Sequence, residues 1–280
     1  MTDTEADTST GSDRGRPVVC CDLDGVIWRG DAPIPNAAAG VATLRDAGIR
    51  VVYVTNNSSG TRAEYVAKLA ACGVEAAPAD VLSSAMAAAR LLAADFAPGT
   101  RVLSYAGPGV HEALEEAGLR PVDAEPATAV VAGFHRDFDF DRLAAAADAV
   151  RAGARFVATN LDPTYPTATG LVPGTGALVA AIATASGRPA EVAGKPYPPM
   201  AALVREVCGP TGVMVGDRPS SDGAFAAALG WPFALVLSGI AGTPGEEPVP
   251  DPPPPFVEQD LGALAPRLLE AAQSSGPLAG

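Results

Sequence analysis

The chain has 280 residues, of which 48% are hydrophobic and only 5% aromatic, so it can bury a large core built mainly from Ala, Val and Leu. Its formal net charge of −13 at pH 7 argues against nucleic acid as a partner, because an acidic surface repels a phosphate backbone. Any site for an anionic ligand must therefore contain local positive charge of its own, from a lysine, a metal ion or a helix N-terminus.

The sequence contains no signal for export or membrane insertion. Residues 1–16 are polar and acidic rather than apolar, so we expect a disordered tail there and not a secretory signal. No apolar run approaches the length that spans a bilayer. The four cysteines form no C-x-x-C pair and have apolar neighbours, which favours buried free thiols in a reducing compartment. We therefore expect a cytoplasmic protein.

Short apolar strands alternate with helices along the rest of the chain. The first block has strands at 18–21 and 49–54 and helices at 36–47 and 61–72. A second block, from about 84 to 190, repeats the pattern with strands at 102–105, 129–132 and 156–159. A third block has strands at 212–215 and 233–237, then a proline-rich loop at 243–255 and a helix at 257–272. This alternation predicts an α/β fold with a doubly wound parallel sheet. The second block could form a separate α/β unit.

Two carboxylates follow the first strand, in the pattern Asp22-Leu-Asp24-Gly-Val. Open α/β sheets bind ligands at the carboxyl ends of their strands, but Asp and Gly also favour ordinary solvated turns. The strand before Asp22 is wholly apolar, which places both acids at a buried edge. Two carboxylates so close together are costly to bury unless a cation joins them, so the pattern predicts a metal.

Three further segments carry polar groups that fit the same edge. The second strand ends in 55–59, Thr-Asn-Asn-Ser-Ser, which is either a phosphate cradle or an ordinary polar loop and helix cap. Lys195, in Gly-Lys-Pro, would be a surface lysine by itself but can supply positive charge next to an anion. Another apolar strand ends at Asp217, and Asp222 could cap the next helix. Carboxylates, hydroxyls and one lysine that meet at one sheet edge would form a hard-cation and phosphate site.

The order D-x-D-G-V, T-N-N-S, G-K-P and G-D-x-x-x-x-D resembles the haloacid dehalogenase (HAD) superfamily of phosphatases. The inserted block resembles the α/β cap (C2-type) of its NagD-like branch, subfamily IIA, and contains the matching segments 158–163 and 173–176. The resemblance covers roughly 17–272. It implies a Rossmann-like HAD core domain of 17–83 and 191–272, an inserted cap domain of 84–190, and tails at 1–16 and 273–280.

The resemblance also implies catalytic and metal-binding roles. Asp22 would attack phosphorus as the nucleophile. Asp24 would protonate the leaving group and then activate water. Lys195 would neutralise Asp22 and the transferring group. Mg²⁺ would be held by Asp22, the backbone carbonyl of Asp24 and Asp217, with Asp222 supporting the metal site.

The residues that the resemblance assigns to substrate binding come from both units. They are Thr55, Asn56, Asn57, Asn160, Asp162 and Tyr165. Thr55 and Asn56 would bind phosphate oxygens. Tyr165 lies in the loop that resembles the specificity loop of the cap, where some vertebrate relatives carry His, and this difference counts against pyridoxal phosphate. Tyr165 could instead be a packing residue of the cap surface.

These assignments predict Mg²⁺-dependent hydrolysis of small phosphate monoesters through a phosphoaspartyl intermediate. Candidate substrates are glycerol phosphate, phosphoglycolate, sugar or nucleoside monophosphates and pyridoxal phosphate. A phosphomutase, another phosphoryl transfer or a non-catalytic phosphate-binding or phosphoacceptor protein remain alternatives, although every residue that the hydrolytic mechanism needs is present. We expect no nucleic-acid or membrane partner, and the resemblance suggests a homodimer through the cap.

Overall fold

The computed structural model describes residues 17–167, 170–241, 243 and 246–275. The tail expected at 1–16 lies outside the described residues, as do 276–280. The strands are β1 (Val18–Cys21), β2 (Trp28–Arg29), β3 (Ala32–Pro33), β4 (Arg50–Thr55), β5 (Val81–Ser83), β6 (Arg101–Tyr105), β7 (Arg120–Val122), β8 (Ala129–Ala132), β9 (Arg155–Ala158), β10 (Thr164–Thr167), β11 (Gly170–Pro173), β12 (Glu191–Val192), β13 (Val213–Gly216), β14 (Phe233–Val236) and β15 (Phe256–Glu258). The helices are α1 (Ala37–Asp46), α2 (Arg62–Ala71), α3 (Ser84–Ala93), α4 (Pro108–Glu116), α5 (Phe140–Arg151), α6 (Thr175–Ser186), α7 (Pro198–Cys208), α8 (Ala224–Leu229) and α9 (Leu261–Ser275).

The first sheet has the strand order β15-β14-β13-β1-β4-β5, and all its pairings are parallel. In the central strand β1, Cys20 lies between Met214 of β13 and Val52 of β4. Helices α1, α2 and α9 pack on one face, and α3, α7 and α8 pack on the other. Strands that are covered on both faces are apolar throughout, as the run Val-Val-Cys-Cys of β1 shows. The predicted doubly wound α/β fold is confirmed.

The second sheet has the order β12-β9-β8-β6-β7 and is also parallel. Helices α5 and α6 cover one face, while α4 covers the other and packs against α3. Strand β12 pairs with β9 just beyond the expected cap boundary at 190, since its two residues continue the ladder at the sheet edge. The division of the chain into a core domain and a cap domain remains a prediction.

The C-terminal segment differs from the predicted helix at 257–272. Residues 256–258 form β15, which extends the first sheet next to β14, and α9 begins only at Leu261. The reason is local: Asp260 accepts a hydrogen bond from the backbone of Ala263 and so starts the helix after the strand. Helix α9 continues to Ser275, so the first residues of the tail expected at 273–280 are helical.

The structure agrees with the expectation of free thiols. Cys20 and Cys21 are buried, whereas Cys72 and Cys208 are partly exposed, and none of the four forms a disulfide. Within the described ranges, no helix combines the length and apolar composition needed to cross a bilayer.

Candidate active site

Three neighbouring strands of the first sheet end at one cavity. Strand β1 is followed by Asp22, β4 ends with Thr55, and β13 is followed by Asp217. The strands are adjacent and parallel, so their carboxyl ends lie side by side. The cavity has a volume of about 320 Å³. Its wall includes Asp22, Asp24, Thr55, Asn56, Asn57, Asn160, Asp162, Tyr165, Lys195, Asp217 and Asp222. The structure thus brings together every site residue predicted from the sequence.

Lys195 lies at the centre of the buried charges. Its Nζ donates to Asp22 Oδ1 at 2.8 Å, to Asp222 Oδ1 at 2.7 Å and to the carbonyl of Val54 at 2.9 Å, which uses all the donors of an ammonium group. The residue is 4% exposed. Burial favours the neutral amine, but Asp22 and Asp222 outweigh this effect and raise the pKa of Lys195. The lysine is therefore charged and held in one position.

Asp22, Asp217 and Asp222 form a compact carboxylate cluster. Each offers one oxygen, and these atoms lie within 4.8 Å of one another. With all three ionised and Lys195 charged, the cluster has a net charge of −3 + 1 = −2. Burial raises the pKa of Asp22, and burial together with Asp222 raises the pKa of Asp217 to about 6. A divalent cation would balance this charge, and an all-oxygen donor set fits Mg²⁺.

Close backbone packing fixes the orientation of Asp217. Its Oδ2 accepts from the backbone N–H of Ile240 at 2.6 Å. A Cβ atom on Gly25 would lie 2.3 Å from Asp217 Oδ2, and a Cβ on Gly239 would lie 1.9 Å from the same oxygen. Gly25 also has a φ of 86°, which favours glycine. These two glycines leave the space that the carboxylate occupies.

Asp222 and Asp24 each accept a hydrogen bond from a residue that is hydrogen-bonded to neither Asp22 nor Asp217. Asp222 accepts from Lys195 through Oδ1 and from the backbone N–H of Arg218 through Oδ2, at 3.2 Å. Its oxygens therefore orient the lysine and the loop after β13. Asp24 follows β1 by three residues, and its Oδ1 accepts from Trp28 Nε1 at 3.0 Å. Burial raises the pKa of Asp24, which favours the protonated acid.

The polar loop after β4 is bonded mainly to the protein itself. The Asn56 side chain accepts from the backbone N–H of Lys195 at 2.7 Å and donates to its carbonyl at 3.1 Å, so it positions the lysine. Thr55 Oγ1 accepts from the backbone N–H of Asn57 at 3.0 Å. Asn57 Nδ2 donates to the Tyr165 hydroxyl at 3.3 Å. These bonds tie the loop to the lysine and to the second unit, which is the stretch 101–192 that contains the second sheet.

The second unit forms the opposite side of the cavity. Asn160 Nδ2 donates to the carbonyl of Asn56 at 2.7 Å, and Asp162 lies 3.6 Å from Arg218 Nη1. Burial raises the pKa of Asp162, while Arg218 lowers it. The Tyr165 ring stacks on Phe134, with centroids 4.6 Å apart.

The sequence interpretation missed three residues near this cavity. Arg218 and Phe134 line it, and Trp28 is bonded to Asp24. Arg218 stands inside the fourth motif, which was a usable signal. Phe134 follows β8 and Trp28 begins β2, but neither stands in a distinctive sequence pattern, so only the three-dimensional arrangement identifies them.

A buried carboxylate cluster with a lysine, at the carboxyl ends of parallel strands, is typical of a metal-assisted site for anionic substrates. Comparisons with known proteins agree. Residues 19–120 match the family model described as haloacid dehalogenase-like hydrolase, and 192–264 match the one described as HAD-hydrolase-like. An acid sugar phosphatase of Staphylococcus haemolyticus is 32% identical over 255 residues, which cover 90% of this chain and 96% of that protein. The chain belongs to the haloacid dehalogenase-like hydrolases, as the resemblance implied.

A protein of Mycobacterium tuberculosis is also similar to this chain. This D-glycerol 3-phosphate phosphatase is 41% identical over 225 residues, which cover 78% of this chain but only 62% of that protein. The chain thus spans less than two thirds of that relative's length. A crystal structure of the glycerol phosphate phosphatase Rv1692 from M. tuberculosis, in complex with magnesium, superimposes with a TM-score of 0.78 and 36% identity, covering 89% of this chain and 76% of that one.

Proposed function

We propose that this protein is a Mg²⁺-dependent phosphatase that hydrolyses small phosphate monoesters through a phosphoaspartyl intermediate on Asp22. One observation carries the proposal: Lys195 Nζ bonds both Asp22 and Asp222 inside a cavity that also contains Asp24 and Asp217. This set provides a nucleophile, an acid, a fixed positive charge and an oxygen donor set for a divalent cation. The names of its relatives agree with hydrolysis of phosphate esters.

Asp22, Asp217 and the backbone carbonyl of Asp24 would hold the magnesium ion, and Asp222 would support them. When bound, Mg²⁺ would withdraw charge from the phosphoryl oxygens, so that two anions can approach each other. The relative that superimposes on this chain was solved with magnesium.

In the first step, an Asp22 oxygen attacks phosphorus and the bond from phosphorus to the ester oxygen breaks. Lys195 opposes the effect of burial on the pKa of Asp22 and so favours its ionised form, and its bond to Oδ1 orients the carboxylate and leaves Oδ2 available. The departing alkoxide takes a proton from Asp24, whose raised pKa favours the acid form. The products are the free alcohol, the phosphoaspartyl enzyme and an ionised Asp24.

In the second step, Asp24 accepts a proton from water as the water oxygen attacks phosphorus. The bond between phosphorus and Asp22 breaks, which releases inorganic phosphate and restores both carboxyl groups. We assign Thr55, Asn56 and Asn57 to the phosphate end of the cavity. Asn56 acts there through its backbone and through Lys195, because its side chain is already bonded to the lysine main chain.

Substrates should be small and polar at the end away from phosphorus. A cavity of about 320 Å³ can enclose a metabolite but not a folded protein, so phosphoproteins are poor candidates. Asn160, Asp162 and Tyr165 line the far side together with Arg218 and offer hydrogen bonds to hydroxyl groups. We favour glycerol phosphate and sugar phosphates over phosphoglycolate, nucleotides and pyridoxal phosphate, because two relatives are named for such substrates.

We also propose a cytoplasmic homodimer that binds neither nucleic acid nor membranes. The free cysteines fit a reducing compartment, and the net charge of −13 disfavours anionic polymers. Two aromatic side chains of the second unit support a dimer contact there, since Phe138 is 52% exposed and Phe140 is 76% exposed.

A phosphate-release screen tests the proposed activity. Wild type and Asp22→Asn are incubated with a panel of phosphate metabolites, with Mg²⁺ or with EDTA. We expect release from small esters only with Mg²⁺ and only by wild type. Turnover in EDTA, or an active Asp22→Asn protein, would contradict the mechanism.

A further inference from the structure

Trp28 donates a side-chain hydrogen bond to the proposed general acid, Asp24. It is 1% exposed and donates from Nε1 to Asp24 Oδ1 at 3.0 Å. The main chains of Asp24 and Trp28 are also paired through a β-bridge. We propose that Trp28 is a positioning residue, which orients Asp24 and determines which of its two oxygens carries the proton. This inference rests on the phosphatase activity proposed above.

The direction of the hydrogen bond assigns the proton. An indole N–H can only donate, so Oδ1 of Asp24 must act as the acceptor in both protonation states. In a carboxylic acid the carbonyl-type oxygen is the better acceptor, so the acid proton resides on Oδ2. Among the described residues, no donor is bonded to Oδ2, and Asp24 lines the cavity. The proton is therefore held on the oxygen that is free to meet the ester.

The indole itself is fixed from several sides. Lys68 Nζ lies 4.4 Å from the centre of the Trp28 ring and donates to the carbonyl of Gly30 at 2.8 Å. The backbone carbonyl of Trp28 accepts from Gly25 at 2.7 Å. The short hairpin of β2 and β3 is thereby tied to both α2 and the turn that carries Asp24. A fixed donor holds the carboxyl group within the narrow geometry that proton transfer requires.

The competing interpretation is that Trp28 only fills the core, and the second tryptophan of the chain offers a matched control. Trp231 is 6% exposed and donates from Nε1 to the carbonyl of Pro210 at 2.8 Å. Both indoles are thus buried and bonded, but only Trp28 bonds a group in the cavity. A Trp→Phe change removes the N–H and part of the ring at either site.

The first test compares two leaving groups. The substrates are the best alkyl phosphate from the metabolite screen, whose alkoxide must be protonated, and 4-nitrophenyl phosphate, whose phenolate leaves without a proton. For Trp28→Phe we expect kcat/KM, which reports the steps up to phosphorylation of Asp22, to fall about 10- to 100-fold on the alkyl ester and to change little on the nitrophenyl ester. The value of kcat is not compared, because it also includes the second step, in which Asp24 is the base for both esters. Trp231→Phe should leave the ratio of the two kcat/KM values at the wild-type value.

An equal loss of kcat/KM on both esters would overturn the inference, because damage to packing alone does not discriminate between leaving groups. If the proposed phosphatase activity itself is wrong, the result is different, because wild type would then hydrolyse neither ester with Mg²⁺. The two failures are therefore distinguishable.

A second measurement does not depend on activity or on the stability of Trp28→Phe. The chain has two tryptophans, so a ¹⁵N spectrum contains two indole N–H signals, and Trp231→Phe identifies the signal of Trp28 by elimination. The substitution Asp24→Asn replaces the carboxyl acceptor with a carboxamide and so changes the hydrogen bond that the indole N–H donates. We expect it to shift the Trp28 indole signal and to leave that of Trp231 in place. An unmoved Trp28 signal would overturn the inference whatever the enzyme assays give.

Discussion

At the scale of single residues, the site buries several carboxylates whose mutual repulsion destabilises the folded protein. Asp22, Asp217 and Asp222 crowd their oxygens within 4.8 Å, and Lys195 compensates only part of the charge. Asp217 has no bond to the lysine; its carboxylate accepts from a backbone N–H instead. Its charge is therefore the one that a bound cation would relieve most.

We predict that Asp217→Asn stabilises the metal-free protein while abolishing activity. Burial and Asp222 raise the pKa of Asp217 to about 6, so its ionised carboxylate, which predominates at neutral pH, destabilises the folded protein relative to the unfolded chain, and removing the charge should gain about 1–2 kcal/mol. Thermal unfolding in EDTA measures this. The exposed Asp46 provides the control, since Asp46→Asn should change stability by less than about 0.5 kcal/mol. A metal-free Asp217→Asn protein less stable than wild type would refute the prediction.

At the scale of elements, the sequence predicted the strands correctly where an apolar strand is followed directly by a polar motif. Strands β1, β4 and β13 were predicted, and with them the positions of Asp22, Thr55 and Asp217. Helix α7 was not predicted, because it begins with Pro198-Pro199; proline is tolerated in a first helical turn but suggests a loop. Strand β15 was taken for helix because three apolar-rich residues fit either structure.

The turn that connects β1 to the β2–β3 hairpin gives an element-scale prediction. Gly25→Ala should reduce turnover with Mg²⁺ more than about 100-fold, because its Cβ would lie 2.3 Å from Asp217 Oδ2. Gly48 is the matched control: its φ is 78° and a Cβ there meets nothing within 4 Å. Steady-state kinetics and Mg²⁺ titration of both variants measure the effect. If Gly48→Ala lost as much activity as Gly25→Ala, backbone strain rather than the contact with Asp217 would be the cause.

At the scale of the whole molecule, the cavity is lined by residues that follow strands of both parallel sheets, such as Asp22 and Asn160. The contacts between the two units involve loops, such as Ser58 Oγ with Thr159 Oγ1 at 3.0 Å and Asn160 with the carbonyl of Asn56. The sequence indicated two α/β units, but such pairings join residues about 100 positions apart and have no local pattern. The partners of Asn56 and Asn57 were unpredictable for the same reason, since they lie 139 and 108 positions away.

The proposed homodimer is tested at this scale. Phe138→Ser combined with Phe140→Ser should convert a dimer into a monomer in sedimentation equilibrium, because it removes the exposed aromatic surface of the second unit. Tyr197→Ser, at a side chain 38% exposed on the first unit, should leave the dimer intact. A monomeric wild type at the highest concentration studied would contradict the proposal.

The most direct test of the central proposal is to trap the phosphoryl group on Asp22. In Asp24→Asn, 4-nitrophenyl phosphate can still phosphorylate the nucleophile, since its leaving group needs no acid, but the second step lacks its base. After an acid quench, mass spectrometry should find one phosphoryl group on the peptide that contains Asp22, and none when Asp22→Asn is added. A phosphoryl group on another residue, or an unmodified enzyme during turnover, would contradict Asp22 as the phosphoryl carrier.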